Sequence, residues 1–487
     1  PGIWFDQLMV FVLCLIPVWI LIIGRIKEKN WVELDNKFYN SSFKALPLRK
    51  TRSKKSSIKI SKYNSNNKKI MIAFGVLGIF LLILFRTDIN APGLELNRNK
   101  AITIAEKYLS DNGIELGDEW NRLISVNPSG PGKQNRFVWQ TTDEEIYNFL
   151  MGDYIDTPGF SVRFAKFDGD LNERAEEYIV DLNYKGIPKR INHKIPENQE
   201  GSELIEEEAR QLALNTILKH YNLSESVLEL ISAEPSKMPA RTDWEFVFKD
   251  IAPNKIYDGD KRLRVIINGD NIKTHEKFIF VPEEWERNEK DQMAILDVAS
   301  SSMSLLLNIL VMTSVVLGII YWTNNRITKM LVLYTFVPLF IITILLFINQ
   351  LPSLIASFST AQPYNNQIGV LIAGTLVGGL FISMIPSILV ASSHFQINEL
   401  KKQKEQPGIF EGVMIAFGFS GLFVMINTFQ PSLSPEWPSL LNGASMVPFL
   451  SKLGSIGGFL TSAGFMTFIV LFISQKTKLW TIKKGLF

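Results

Sequence analysis

Apolar residues in this chain do not alternate with polar ones; they gather into unbroken runs of sixteen or more. A helix needs about 17–25 mostly apolar residues to cross a hydrocarbon core of roughly 30 Å. Seven stretches approach or meet that length, at about residues 3–23, 70–85, 305–322, 331–348, 368–392, 412–429 and 456–474. The pattern predicts a polytopic α-helical membrane protein with about seven spans and excludes an ordinary soluble enzyme. Of 99 charged residues, 67 fall between positions 86 and 302, where 27 Lys and Arg face 40 Asp and Glu. This polar insert is net −13 and everything else +16, so a nucleic-acid-binding surface is not expected. The only cysteine, Cys14, lies in the first apolar run and leaves the insert without disulfides. Asp6 lies within two turns of the end of that run and is expected to reach the headgroups. The first residue is Pro, from which a fragment or a processed product is expected.

Short cytoplasmic loops are enriched in Lys and Arg, which orients the spans. Residues 25–69 carry fourteen Lys and Arg against three acidic residues, including the run Arg49-Lys50-Thr51-Arg52-Ser53-Lys54-Lys55. Alternation from that loop puts 324–329, 394–408 and the tail 476–487 inside as well. Loops 350–367 and 430–455, with one Lys between them, fall outside together with the insert. The expected organisation is a first span to residue 24, a basic cytoplasmic loop 25–69, a second span 70–85, an exterior insert 86–302, and a five-helix membrane domain 303–475. Anionic lipid is the expected partner of the basic loop.

The insert repeats itself. Ala101-Ile-Thr-Ile-Ala-Glu-Lys-Tyr-Leu109 matches Ala209-Arg-Gln-Leu-Ala-Leu-Asn-Thr-Ile217, with small residues four apart in a helical stripe. Leu123-Ile-Ser-Val-Asn-Pro-Ser129 then matches Leu230-Ile-Ser-Ala-Glu-Pro-Ser236, at an offset near 107. Strands are predicted over 136–140 and 244–248, and each copy closes in a hairpin, with turns at Lys185-Gly186 and Gly269-Asp270. Residues 86–200 and 201–302 thus read as two α+β units, each a helix on a small antiparallel sheet. The arrangement resembles the PepSY domain; any other duplicated α+β fold would give the same pattern.

Chemistry-bearing clusters are sparse. Asp168-Gly-Asp170-Leu-Asn172-Glu173 spaces its oxygens like a calcium loop but lacks the sixth-position Gly, and Ile179 stands where a bidentate Glu belongs, so a structural turn is expected. The four histidines have no partner at ligand spacing and read as solvated surface groups. Between 305 and 474, Glu399, Glu405, Glu411 and Glu436 all fall in loops or at span ends and Asp is absent, so no buried carboxylate is expected there. Gly374 and Gly378, four apart, are the expected sites of close helix packing. Pro338 and Pro386 are expected to kink their helices. No catalytic or metal-ligand set is expected in this chain.

The order of parts adds a resemblance. A span, a duplicated insert with Arg241-Thr-Asp243-Trp-Glu-Phe246, then Phe280-Val-Pro-Glu283-Glu-Trp285, then spans with Asn349-Gln-Leu-Pro352 and Thr360-Ala-Gln-Pro-Tyr364 together resemble the large members of the CPBP intramembrane metalloprotease family, the CAAX proteases and bacteriocin-processing enzymes. The resemblance covers about residue 91 to the C-terminus. It implies a bacterial plasma-membrane protein and a divalent metal, zinc by family, in catalytic helices. The family's paired glutamates with an arginine four residues after the second occur in no span here, and His394-Phe-Gln-Ile-Asn398 alone cannot build a site. The expectation is a non-catalytic portion whose catalytic helices lie beyond Phe487, or a relative that never had them. The insert is then expected to recognise or restrain a polypeptide through sheet edges, with Trp139, Arg241, Trp244 and Phe246 as contacts if exposed. An envelope sensor for a small ligand and a transporter are the alternatives.

Overall fold

The computed structural model describes residues 65–85, 89–252, 259–401, 409–428, 433–440, 442–456 and part of 458–467. The expected first span, the basic loop up to residue 64 and the tail lie outside the described residues, and the expected seventh span lies there in large part. Within them the chain is a mixed α/β protein with two antiparallel four-stranded sheets. Three helices are long and apolar enough to cross a membrane, which marks the chain as a membrane protein.

Helix α1 (Ser65–Leu84) comes first. The first sheet unit is α2 (Arg98–Asp111), β1 (Asn121–Val126), α3 (Lys133–Thr141), α4 (Glu144–Leu150), β2 (Gly159–Ala165), the short α5 (Leu171–Ala175), β3 (Glu177–Asn183) and β4 (Pro188–Lys194). The second is α6 (Glu206–Tyr221), β5 (Leu228–Lys237), β6 (Thr242–Asp250), β7 (Asp260–Asn268) and β8 (Asn271–Phe280). Helices α7 (Glu283–Thr323), α8 (Lys329–Ile355), α9 (Tyr364–Lys401) and α10 (Ile409–Thr428) follow. In both sheets strand order follows chain order, β1-β2-β3-β4 and β5-β6-β7-β8.

Each unit is held by the stripe on its helix. Asn97 starts α2 by accepting from the Lys100 amide at 3.0 Å, and Ala101, Ala105 and Leu109 are buried on the sheet. They meet Phe160, Val162 and Phe164 of β2 and Val180 and Leu182 of β3. In the second unit Ala209, Ala213 and Ile217 of α6 lie on Phe246, Phe248, Leu263, Val265 and Ile267. A fully buried side chain of this size contributes about 1.5–3 kcal/mol, so tertiary burial outweighs helix propensity here.

The strand expected over 136–140 is instead part of helix α3, and Trp139 sits on that helix. The true counterpart of β6 is β2: the offset between the units is 107 at Leu123 and Leu230, but 84 between the core residues Phe160, Val162 and Phe164 and Trp244, Phe246 and Phe248, and 85 between Val180 and Leu182 and Val265 and Ile267, because α3 and α4 are inserted between β1 and β2. The physical reason is packing across the units. Phe137 and Val138 join Tyr147 and Leu150 of α4 in a core completed by Ile279 and Val281 of the second unit. Three adjacent apolar residues fit a helix or a strand equally well, and only that partner surface decides.

The two units meet along β4 and β8 and are tied by charge. Arg190 pairs with Asp181 at 2.8 Å on its own sheet and with Glu276 at 2.5 Å across the junction. Arg136 makes a two-pronged pair with Glu289 at 2.7 and 3.1 Å, which fastens α3 to the first turns of α7. Helix α7 then runs for 41 residues without a break from the second sheet into its apolar half, so residue 302 is not a structural boundary.

The first sheet rests on the connection between α8 and α9. Leu123, Ala165 and Phe167 pack on Phe358, and Arg163 donates to the carbonyls of Ala356 (3.2 Å) and Phe358 (2.6 Å) just past the end of α8. A guanidinium suits these carbonyls, which carry the negative end of the helix dipole. Arg163 also grips Glu177 at 2.9 and 2.5 Å, and Thr360 donates to the same carboxylate at 3.2 Å. Burial alone would raise the Glu177 carboxyl, but Arg163 and Lys194 more than offset it and hold it below the ordinary carboxylate range. Replacing Arg163 with methionine is expected to weaken this attachment by about 2 kcal/mol. Amide exchange at 356–360 should then rise at least tenfold, and unchanged exchange would show that the apolar contacts suffice.

Gly374 and Gly378 are not packing sites among the described residues: a Cβ built on either meets nothing within 4 Å. The close approach is made by α1 and α10 instead. Backbone of one helix lies where a Cβ at Gly75, Gly78 or Gly421 would sit, and the Phe74 ring fills that position at Gly418. The spacing of four between two glycines says that a face is small, but not that a helix lies on it.

Candidate functional site

An antiparallel sheet offers unpaired amides and carbonyls at its two edges, and an edge left open can accept an extended chain. Three of the four edges here are covered. β1 lies under the end of α8, and Val126 packs with Leu94 on the same core as Ala444. β4 and β8 face one another across the unit junction, joined by the Arg190–Glu276 pair. Among the described residues β5 is left open, with seven of its ten residues exposed.

The strand presents two different faces. Register places Leu228, Leu230, Ala233 and Pro235 opposite Asp250, Phe248, Phe246 and Trp244, on the side of the sheet that carries α6. Glu229, Ser232, Glu234 and Ser236 stand opposite Lys249, Val247, Glu245 and Asp243 on the other side. Between the two sets the register slips at Ile231, a bulge that leaves this side chain 42% exposed beside Leu230 at 36%. Glu234 directly faces Glu245, an arrangement that costs stability unless a cation intervenes. Arg264 reaches Glu245 at 3.0 Å, whereas Glu229 and Glu234 have no ion-pair partner among the described residues.

The junction behind this edge is polar. Asp250 accepts from the Tyr154 hydroxyl and from Lys261 at 3.0 Å, with both ions almost fully buried. Burial and Asp250 push the Tyr154 hydroxyl far up, so it stays protonated as a donor. A cavity of about 40 Å³ nearby is lined by Asn127, Asp156, Thr157, Asp181, Lys189 and Arg190. That is the scale of a hydration site rather than of a substrate pocket.

Two of the four histidines, His220 and His394, are exposed as expected, whereas His193 is half-buried and His275 is interior. His275 on β8 is 5% exposed, stacks on His220 at 4.3 Å between centroids, and lies 2.8 Å from the Tyr221 hydroxyl through Nδ1. His193 stacks on Tyr178, its direct cross-strand neighbour, and meets Glu176 at 3.0 Å. Sheet register brings these groups together across sequence gaps that carry no spacing signal. Burial, then His220 and Arg190, push His275 down to about 4, so it is neutral in the folded protein and shares a hydrogen bond through Nδ1 with the Tyr221 hydroxyl, which burial keeps protonated. The unfolded chain binds this proton below the ordinary value of 6.5 and the folded chain does not. The resulting stability is complete above that value and is lost as pH falls through this window toward 4. Between about pH 7 and pH 5 the loss should be about 2 kcal/mol. Urea midpoints of the parent and of His275→Gln across that range should show a shallower pH slope for the variant, and equal slopes would count against this account.

The four residues expected as exposed contacts are mostly interior. Trp244 and Phe246 are 8% and 0% exposed and form the core under α6, and the Trp244 indole donates to the Leu204 carbonyl at 3.1 Å. Trp139 packs beside the core shared by the units, edge-on to Tyr147 at 5.2 Å. Arg241 is 2% exposed. It pairs with Asp243 at 2.7 Å and donates to the carbonyls of Pro196 (2.8 Å) and Gln199 (2.9 Å) in the segment linking the units. The alternation that nominated them marks the face under the helix. The residues missed, Glu229, Leu230, Ile231 and Glu234, lie on the first strand of the second repeat, whose exposure no periodicity reveals.

Asp170 and Glu173 belong to the start of α5, where the Asp170 amide donates to Glu173 at 3.3 Å. Asn349 and Gln350 hold the 442–451 segment: the Val447 amide donates to the Asn349 side chain at 2.6 Å, and Gln350 bonds Asn442 at 2.9 Å. Among the described residues no group of three or more His, Cys, Asp and Glu gathers at metal-binding range.

Comparison with family models, curated proteins and solved structures finds no match to this chain. The fold and the open edge therefore stand on their own geometry.

Proposed function

We propose that this chain is the non-catalytic portion of a CPBP-like intramembrane protease of the bacterial plasma membrane. In this reading its two PepSY-like units lie outside the cell and recognise or restrain a polypeptide. The carrying observation is the combination of one open sheet edge with a rigid attachment of the same body to membrane helices through Arg163. A polypeptide held at the edge is thereby linked to the α8–α9 connection. In this reading the seven apolar stretches are spans, and packing supports placing residues 86–302 on the same side as the 350–367 and 430–455 connections. The first unit touches both connections that the alternation puts on its own side: Arg163 reaches Phe358, and Gln140 donates to the Leu433 carbonyl at 2.6 Å. The motifs that would supply hydrolysis are not in this sequence, so the reading assigns it recognition. Zinc belongs to the catalytic helices of the family.

A sensor is the second reading, favoured by the unbroken course of α7 from the second sheet into its apolar half. The two separate on ligand class. With the full chain in lipid nanodiscs, an unfolded polypeptide such as reduced casein should slow amide exchange within 89–302, whereas amino acids, nucleotides and sugars should not. The reverse result would favour the sensor and end the polypeptide reading.

A further inference from the structure

We infer that the open edge of β5 is a docking strand for an extended peptide whose residues alternate between basic and apolar. The inference rests on the polypeptide reading above and specifies its site and the chemistry of its partner. Three observations select this occupant. The backbone of β5 is paired on one side only, with β6, and its residues are mostly exposed, so an added strand can continue the ladder. On the face away from α6 the strand carries Glu229, opposite a Lys249 that is paired with Asp260 at 2.7 Å, and Glu234, which stands against Glu245; neither glutamate makes an ion pair among the described residues. On the α6 side the exposed part of Leu230 continues the apolar surface, with the bulged Ile231 exposed beside it. A docked strand repeats this two-residue period: one set of side chains meets the carboxylates and the other meets the leucine.

The same charges argue against a second copy of this chain as occupant. Two β5 strands paired edge to edge would bring four carboxylates that make no ion pair among the described residues into one short ladder, and like charges across a ladder repel. Pro235 and the Ile231 bulge act in the same direction, since both hinder continuous pairing along the whole strand. The docking segment is therefore short, centred on 228–234.

The test uses the full chain in nanodiscs and a fluorescein-labelled heptapeptide of alternating lysine and valine. Fluorescence polarisation should show saturable binding that weakens as salt rises. The double variant E229K/E234K should lose about tenfold in affinity for this peptide and gain affinity for the glutamate–valine counterpart. Methylation of the peptide's backbone nitrogens at alternate positions, which leaves its side chains intact, should abolish binding in one of the two phases, because only one set of amides faces β5. Amide protection should appear at 228–234. Binding that ignores both the charge reversal and the methylation, or protection confined to another surface, overturns the docking strand while leaving polypeptide recognition intact. If neither this peptide nor reduced casein binds, both readings fail together. Self-association of the parent chain lost on E229K/E234K would instead identify a second copy as the occupant and overturn the inference.

Discussion

Arg241→Met is expected to destabilise the paired-sheet body by about 3–5 kcal/mol, the range for removing one partner of a buried ion pair. The guanidinium is 2% exposed and has four acceptors at good distance or nearly so: both oxygens of Asp243 and the carbonyls of Pro196 and Gln199. Asp243 also accepts from the Gly269 amide at 3.1 Å, so the pair joins the segment between the units to the β7–β8 turn. Methionine fills most of the volume but leaves Asp243 as a buried charge without its cation. The double variant Arg241→Met with Asp243→Leu removes both charges and should recover a large part of the loss, because a buried pair replaced as a whole costs little. Urea unfolding of the detergent-solubilised chain, with cleavage within 195–201 as a local reporter, measures both. A single variant within 1 kcal/mol of the parent would show that the linking segment is held by something else.

Gly78→Leu should separate α1 from α10. A Cβ at Gly78 would fall on the carbonyl of Phe417 and the Cα of Gly418, and one at Gly421 would fall on the backbone of Gly78. Nothing flexible stands there to move aside. Dispersion over the closely matched surfaces of the two apolar helices stabilises the crossing, and opening it forfeits most of that energy. A loss of about 2–4 kcal/mol is expected. In a background with Cys14 replaced by serine, F74C and F419C report the contact, since the two rings lie 5.3 Å apart edge to face. Cross-linking should fall sharply with Gly78→Leu and with Gly421→Leu, yet persist with Gly374→Leu, whose Cβ meets no atom within 4 Å. Equal yields in all three would show that the crossing tolerates side-chain volume.

Much of the local architecture was legible in the sequence because local rules produced it. The stripes Ala101-Ala105-Leu109 and Ala209-Ala213-Ile217 bury as their four-residue spacing requires, and the hairpin turns at Gly186 and Gly269 fall where positive φ values of 84° and 62° demand glycine. Where a stretch satisfied two periods, reading failed. Phe137-Val138-Trp139 is apolar in any conformation, and its helix is selected by Ile279 and Val281, more than 140 positions away. The candidate site was illegible for a related reason. Trp244 and Phe246 advertise a buried face as strongly as a binding one, and the exposure of Glu229 and Leu230 depends on which strand lacks a neighbour.

Apolar run length, charge segregation and the internal repeat were thus settled by the chain itself, since each follows from side-chain solubility and periodicity over a few dozen residues. Which edges are covered, which glycines touch and which histidines lose water were decided by tertiary structure alone. Those outcomes depend on surfaces meeting across long sequence separations, and no local pattern encodes what will lie on the other side.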